Sequence, residues 1–229
     1  MKKSKNYIIV SSRPWHKKLF LKLKTFFIND KWILIERTEE FNFEKVKVID
    51  PKFIFITHWS KIIPENIFLN YDCILFHMTD LPFGRGGSPL QNLIVKGFEN
   101  TKISGIKVKK KIDSGPIYLK KNLSLKGTAY QIFTRSSDII FKMIIQIINK
   151  KLIPKPQEGN ITFFKRRKPK ESNINDLDSL EKVYDYIRML DCEGYPHSYL
   201  ENDNFIFEFT NAKFNNKKHI EANVRIIKK

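Results

Sequence analysis

The chain has 229 residues and carries 42 Lys and Arg against 24 Asp and Glu, a formal net charge of +18. This length can form one sizeable hydrophobic core, or a main domain with a small appendage. Two cysteines are too few for a disulfide framework, and no apolar run approaches the roughly 18 residues of a membrane span. The first residues, Met1–Lys5, do not form a convincing signal peptide, so we expect a cytoplasmic protein with no membrane span.

The positive charge bears on the partners of the protein. Most of the excess is lysine scattered among isoleucine, asparagine and phenylalanine, which is typical of a solvated surface; only residues 109–111 and 165–168 are densely basic. Clustered cations gain affinity for nucleic acid by releasing counterions from phosphates. A nucleic-acid partner is therefore an alternative and not the leading interpretation.

Four continuously apolar runs precede residue 77 and predict buried strands. They are Tyr7–Val10, Trp32–Ile35, Phe53–Ile56 and Asp72–Phe76. Residues 15–28 have apolar side chains at helical spacing and predict an amphipathic helix. Apolar strands separated by helices or loops favour a parallel sheet covered on both faces. The predicted fold class is α/β, with a Rossmann-like, mostly parallel sheet and helices on both faces.

The elements after this point are predicted from capping and turn signals. Ser88 and Pro89 suit the N-cap and the first residue of a helix. The remaining predicted elements are a half-exposed strand over 101–111, antiparallel edge runs at Ile117–Leu119 and Leu123–Leu125, helices over 128–149 and 178–191, and strands over 205–209 and 222–226. Pro154–Gly159 has the composition of a linker. We therefore predict a main domain over 1–153 and a small C-terminal α+β appendage over 154–229.

The stretch from His77 to Pro89 combines titratable side chains with a glycine-rich turn. Asp113 lies in a second turn, and an acid that reaches an imidazole fixes its tautomer and stabilises its protonated form. The glycine turn lacks the Gly-Lys-Ser/Thr ending of a phosphate-binding loop, and no serine or cysteine lies in a nucleophile elbow. The five histidines are dispersed, so we expect no metal site.

A longer series of residues extends this pattern. In chain order it comprises Ile62–Pro64, His77, Leu81–Pro82, Arg85–Gly86, Pro89, Gln91, Thr101 and Ile112–Ile117. The series resembles the catalytic domain of the formyltransferases that use 10-formyltetrahydrofolate, in which an acid follows the histidine by about the interval found here. It is most similar to the compact sugar N-formyltransferases. The resemblance is good over residues 50–126 and looser elsewhere.

The resemblance implies a role for each matching residue. His77 would stabilise the oxyanion formed during formyl transfer, and Asp113 would orient the imidazole and assist proton transfer through water. The residues expected to contact 10-formyltetrahydrofolate, the formyl donor, are Trp59, Ser60, Ile63, Pro64, Ser114 and Gly115. The residues expected to contact the acceptor are Arg85, Gly86 and Arg13.

One position departs from the family pattern. The family has a catalytic asparagine two residues before the histidine, where this chain has Leu75, and leucine neither donates nor accepts a hydrogen bond. The polar residues that could substitute are His58, Ser60, Thr79 and Asn92. We favour His58 as a third catalytic residue because it ends the neighbouring predicted strand.

The size of the C-terminal region bears on the acceptor. Residues 154–229 are too few for the full C-terminal barrel that tRNA formylation uses in this family. We therefore predict a small acceptor amine, on an amino sugar of surface-glycan synthesis. The alternatives are methionyl-tRNA formylation on initiator tRNA and a non-catalytic relative that binds folate or sugar. The oligomeric state is left open.

Overall fold

The computed structural model describes residues 4–216 and 218–229, and this part of the chain folds into two compact units. The first unit comprises the residues up to Arg85 together with 102–123 and 134–163. The second comprises 86–101, 124–133 and 164–229. The units interleave along the sequence, and residues 154–163 lie in the first. The division into functional domains at residue 153 stays a prediction.

Eleven strands and six helices are described. The strands are β1 (Asn6–Ser11), β2 (Lys31–Ile35), β3 (Phe53–His58), β4 (Cys73–His77), β5 (Arg85–Gly86), β6 (Asn100–Lys107), β7 (Ile117–Ser124), β8 (Phe163–Phe164), β9 (Ser198–Glu201), β10 (Phe205–Asn215) and β11 (His219–Lys228). The helices are α1 (Trp15–Phe26), α2 (Phe43–Ile49), α3 (Glu65–Asn70), α4 (Pro89–Val95), α5 (Ala129–Lys150) and α6 (Leu180–Arg188).

The first unit is built around a six-stranded sheet in the order β2-β1-β3-β4-β6-β7. Strands β2, β1, β3 and β4 are parallel to one another, and β6 is antiparallel to β4. Ile8 and Val10 of β1 point into an apolar cluster with Val46 of α2 and Ile67 of α3. Tyr7, on the opposite face, contacts the ring of Phe27 directly after α1. The sheet is thus covered on both faces, and the predicted Rossmann-like class is confirmed.

The structure corrects three local predictions. The two edge runs at 117–119 and 123–125 are one continuous strand, β7. Ser88 has φ of +50° and makes no capping hydrogen bond, and its hydroxyl instead accepts one from the backbone N of Arg167 at 3.1 Å. The linker composition of residues 154–159 is also misleading, because Lys155 forms a bridge with Ile117 of β7 through two backbone hydrogen bonds of 2.7 and 2.9 Å.

The second unit contains the antiparallel sheet β11-β10-β9 and helices α4 and α6. Its helices are joined to neighbouring segments by side chains that donate to backbone carbonyls. Arg188 donates to the carbonyls of Leu125 and Gly127, and Gln91 donates to that of Met189. This arrangement confirms the predicted C-terminal α+β element.

Over residues 4–216 and 218–229, no helix is both long and apolar enough to cross a membrane.

Candidate active site

Two histidines lie at equivalent ends of neighbouring parallel strands. Ile56 of β3 pairs with Leu75 of β4, and His58 and His77 each follow two residues later. Side chains two residues apart in a regular strand point to the same face, so His77 belongs to the face of Leu75, whereas the register of β3 with β1 is irregular just before His58. The carboxyl ends of parallel strands are the usual place for ligands in such sheets.

His77 is held between a backbone carbonyl and a carboxylate. Its Nε2 lies 2.8 Å from the carbonyl oxygen of Gly84, and its Nδ1 lies 3.6 Å from Oδ2 of Asp113. A carbonyl only accepts, so Nε2 carries a proton and donates it to Gly84. The 3.6 Å separation is too long for a direct hydrogen bond. The ring is therefore oriented by Gly84, and its Nδ1 edge faces Asp113.

Both members of this pair are buried. The side chains of His77 and Asp113 are 7% and 8% exposed. In such surroundings an imidazole and a carboxylate interact more strongly than they would in water. The Nδ1 edge of the imidazole and the Asp113 carboxylate therefore face each other in a part of the site that is largely shielded from water.

The loop after His77 is pinned to the sheet. The hydroxyl of Ser104, on β6, donates to the carbonyl of Thr79 at 2.7 Å and accepts from the backbone N of Leu81 at 3.3 Å. Asp80 forms ion pairs with Lys102 and Lys120. Burial alone would raise the pKa of Asp80, but the hydrogen bonds from these two lysines outweigh it and lower the pKa below its usual value.

The loop that carries Asp113 is equally tight. Asp113 has φ of +50°, and Ser114 donates its hydroxyl to the carbonyl of Lys111 at 2.8 Å. A Cβ atom at Gly115 would lie 1.6 Å from the carbonyl oxygen of Lys107. Only glycine permits this close approach of two backbone segments. Gly115 thus sets the path of the acid loop.

His58 lies in a second group of polar and aromatic side chains. Its ring centroid is 5.5 Å from that of Trp15 and 6.2 Å from that of His16, and Ser11 of β1 is its pairing partner. His16 is buried, and its Nδ1 lies 2.8 Å from the hydroxyl oxygen of Ser11. Burial, and secondarily the nearby His58, lowers the pKa of His16 well below its usual value. His16 is therefore neutral.

The residues expected to contact the acceptor fall in different places. Arg13 has its guanidinium carbon 5.8 Å from the ring centroid of Trp15, and its backbone N donates to Ser11. Arg85 donates to Gln157 through Nε at 3.2 Å and Nη2 at 2.7 Å. Gly86 belongs to the second unit, where a Cβ atom would lie 2.4 Å from the carbonyl oxygen of Phe164.

The residues expected to contact the formyl donor divide into packed and exposed positions. Trp59 and Ile63 pack against the apolar cluster beneath the sheet, Ser60 is exposed, and Pro64 immediately precedes α3. Beside them the side chain of Ile62 is 92% exposed, and that of Ile112, next to Asp113, is 68% exposed. An ion pair of 3.3 Å between Lys110 and Glu65 joins the two segments.

Leu75 packs against the same apolar cluster, so it supplies no polar group. Among the proposed substitutes for the family asparagine, the side-chain amide of Asn92 already donates to three backbone carbonyls, those of Gly87, Ser88 and Lys165. The hydroxyl of Thr79 donates to Gly84 at 3.4 Å. His58 stays the predicted third residue. In the described ranges, no group of three or more His, Cys, Asp and Glu side chains could hold a metal ion.

A Rossmann-like sheet with a buried imidazole–carboxylate pair at its strand ends defines an enzyme-type site for proton transfer and charge stabilisation. The comparisons with known proteins also point to an enzyme. The chain is 48% identical to methionyl-tRNA formyltransferase from Clostridium thermocellum. The match covers 98% of this chain and 100% of that chain, and the two superpose with a TM-score of 0.96. Residues 169–227 match the family described as the C-terminal domain of methionyl-tRNA formyltransferase. The chain belongs to the formyltransferase family, as its motifs predict.

Other relatives differ in length or identity. Methionyl-tRNA formyltransferase from Thermodesulfovibrio yellowstonii is 30% identical over 67% of this chain and 53% of its own length. The chain thus spans about half the length of the curated relatives it matches. HypX from Aquifex aeolicus, solved with tetrahydrofolic acid, is 13% identical over 90% of this chain and 37% of its own, with a TM-score of 0.74. A sugar N-formyltransferase from Shewanella is 16% identical over 87% of this chain and 93% of its own, with a TM-score of 0.65. These last two likenesses show a shared fold.

Sequence reasoning missed several contributors to the site. The carbonyl of Gly84 orients His77, but a backbone acceptor has no signature in the sequence. His16 follows Trp15 at the start of a lysine-rich helix and carries no sign of burial. Gln157 lies within a proline-containing stretch that resembles a linker. For Gly84 the sequence signals only an unusual backbone path, because a glycine lies close after a candidate catalytic histidine, and it does not mark the carbonyl as the acceptor.

Proposed function

We propose that this chain is an N-formyltransferase that moves a formyl group from 10-formyltetrahydrofolate to a primary amine. The observation that carries the proposal is the buried His77–Asp113 pair, with 3.6 Å between Nδ1 and Oδ2. It occurs in a chain that is 48% identical throughout to a protein named as a formyltransferase.

The residues near the pair fit such a donor. Two large apolar side chains, Ile62 and Ile112, are exposed on segments joined by the Lys110–Glu65 ion pair. Exposed apolar side chains beside buried titratable groups are typical of a ligand site. The flat pterin and benzoyl rings of a folate can cover such side chains. When bound, the donor supplies the activated formyl group.

The pair would act through Nδ1 of His77. Its Nε2 is committed to the carbonyl of Gly84, so Nδ1 is the nitrogen available to a reacting oxygen. A proton on Nδ1 donates to the formyl oxygen as negative charge develops there during attack by the amine. Asp113 orients the imidazole and accepts the proton of the amine through water, and that proton passes to N10 of the folate as the bond between the formyl carbon and N10 breaks. His58 is proposed to complete the site in place of the asparagine that Leu75 replaces.

The aminoacyl end of methionyl-tRNA is the acceptor that we propose first. Support comes from the names of the relatives, from the family match over residues 169–227 and from the net charge of +18. Lys165, Arg166 and Lys168 are exposed just before the matched segment. These features favour tRNA over the amino sugar predicted from the length of residues 154–229. The cytoplasmic location stays a prediction.

A panel of acceptors tests this proposal. The purified protein is incubated with 10-formyltetrahydrofolate and either methionyl-tRNA or a series of amino-sugar nucleotides, and products are identified by mass. We expect formylated methionyl-tRNA from the wild type and from an Asp138→Asn control, because Asp138 is exposed on α5, outside the matched segment, and pairs with Lys22. Formylation of a sugar alone would redirect the acceptor. No formylated product with any acceptor would overturn the proposal.

A further inference from the structure

The segment from Lys155 to Thr162, here called the strap, contacts both loops of the candidate site. Thr162 accepts from the backbone N of Gly84 through its hydroxyl at 2.7 Å and from that of Arg85 through its carbonyl at 3.0 Å. Its own backbone N donates to the carbonyl of Pro82 at 3.4 Å. One end of the strap therefore holds the loop that contains Gly84, the residue that orients His77.

The other end of the strap holds the acid loop. Lys155 exchanges two backbone hydrogen bonds with Ile117, four residues after Asp113. Gln157 lies between these two ends. Among the described strap side chains, it alone forms hydrogen bonds with both loops. Its amide nitrogen donates to the carbonyls of Asp113 and Gly115, each at 2.8 Å, and its amide oxygen accepts from Arg85.

The orientation of the Gln157 amide follows from these partners. Arg85 has only donors, and the two loop carbonyls only accept, so the amide oxygen must face Arg85 and the amide nitrogen must face the loop. Both hydrogens of the nitrogen are used. A glutamate of the same size would keep the contact with Arg85 but would place an oxygen against two carbonyl oxygens.

We propose that Gln157 is a positioning residue for Asp113. The backbone of Asp113 has φ of +50°, a conformation that non-glycine residues adopt only where the surroundings hold them in it. Gln157 ties the carbonyls of Asp113 and Gly115 together and connects them to Arg85 in the loop of His77. It thereby maintains the geometry in which the Asp113 carboxylate faces Nδ1 of His77.

The first test does not depend on activity. Hydrogen–deuterium exchange is measured by mass spectrometry on peptides that cover residues 107–118 in the wild type, Gln157→Ala, Gln157→Glu and Gln146→Ala. Because two hydrogen bonds to the loop are lost, we expect exchange there to be about tenfold faster in both Gln157 variants. Gln146→Ala is the matched control, a half-buried glutamine in α5. Unchanged exchange in the loop of both Gln157 variants would overturn the proposal.

The second test rests on the proposed function. We expect Gln157→Ala to lower kcat by about tenfold to a hundredfold, since small displacements of catalytic groups have effects of this size, with a smaller change in KM. In an Asp113→Asn background the same substitution should change kcat by less than about twofold, because residues that act through one another are not additive. Equal losses in both backgrounds would overturn the proposal. An inactive wild type would refute the formyltransferase function and leave the exchange measurement to decide the role of Gln157.

Discussion

Two buried histidines of the first unit have opposite surroundings. Nδ1 of His16 lies 2.8 Å from the hydroxyl oxygen of Ser11, and burial, together with the neighbouring His58, lowers the pKa of His16 well below its usual value. His77 is nearly as buried, but its two nitrogens face a carbonyl and a carboxylate. The two nitrogens of His77 thus face a hydrogen-bond acceptor and a carboxylate, whereas burial and a second imidazole disfavour the charged form of His16. The neighbours, and not the residue type or the burial, are the reason that we propose His77 for the chemistry.

The largest effect that we expect from the contrast between His77 and His16 is on the turnover of a His77 variant. We expect His77→Asn to lower kcat by about 10²–10⁴-fold, the usual contribution of a group that moves or holds a proton in the transition state. The free energy of unfolding should fall by only about 1–3 kcal/mol, the cost of losing the hydrogen bond to the carbonyl of Gly84. Formyl transfer by this variant is compared with that of Asp138→Asn. A His77→Asn enzyme with normal turnover would assign the chemistry elsewhere.

The acid loop provides a second test, through Gly115. Because a Cβ atom there meets the carbonyl of Lys107 at 1.6 Å, Gly115→Ala must displace the loop. We expect it to destabilise the fold by about 3 kcal/mol and to lower kcat together with Tm. Gly97→Ala is the comparison, since its φ is +77° and nothing lies within 4 Å of the added atom.

The two glycine variants should differ in their effect on kcat. Gly97→Ala should cost about 1–2 kcal/mol of backbone strain and leave kcat unchanged. Thermal unfolding and the formyl-transfer rate are measured for both. If Gly115→Ala retains wild-type kcat, then the path of the acid loop does not position Asp113.

The smallest expected effect concerns His16 and pH. Because the pKa of His16 is lower in the folded protein than its ordinary 6.5, the unfolded state binds more protons as pH falls below 6.5. Stability should therefore decrease with falling pH, by at most about 1.4 kcal/mol per pH unit from this residue. His16→Gln should remove that part of the slope. Urea unfolding at pH 7.5 and 5.5 measures it, and an unchanged slope would show that His16 is not held neutral.

Much of the first unit could be predicted from the sequence. Continuous apolar runs such as Phe53–Ile56 predict buried parallel strands because both faces of such strands are covered, and β3 is found there. The pairing of His77 with Asp113 followed from their motifs. Their interval along the chain alone could not bring them together, since that depends on the pairing of β6 with β4 and on the turn between β6 and β7.

What was missed depends on backbone groups and on distant segments. Ser88 has the composition of an N-cap, but its left-handed backbone and its contact with Arg167 are set by a segment 79 residues away. Residues 154–159 resemble a linker because proline and glycine are common in linkers, yet Gln157 forms four hydrogen bonds with the two site loops. The composition of a short segment does not predict partners that are distant in the sequence.

The most direct test of the central claim is a double-mutant cycle on His77 and Asp113. Formyl transfer from 10-formyltetrahydrofolate is measured for the wild type, His77→Asn, Asp113→Asn and the double variant, with the acceptor that the panel identifies. If the pair acts as one unit, the double variant should be no slower than His77→Asn alone, within about twofold. Losses that multiply, so that the double variant shows the product of the two single effects, would contradict the account.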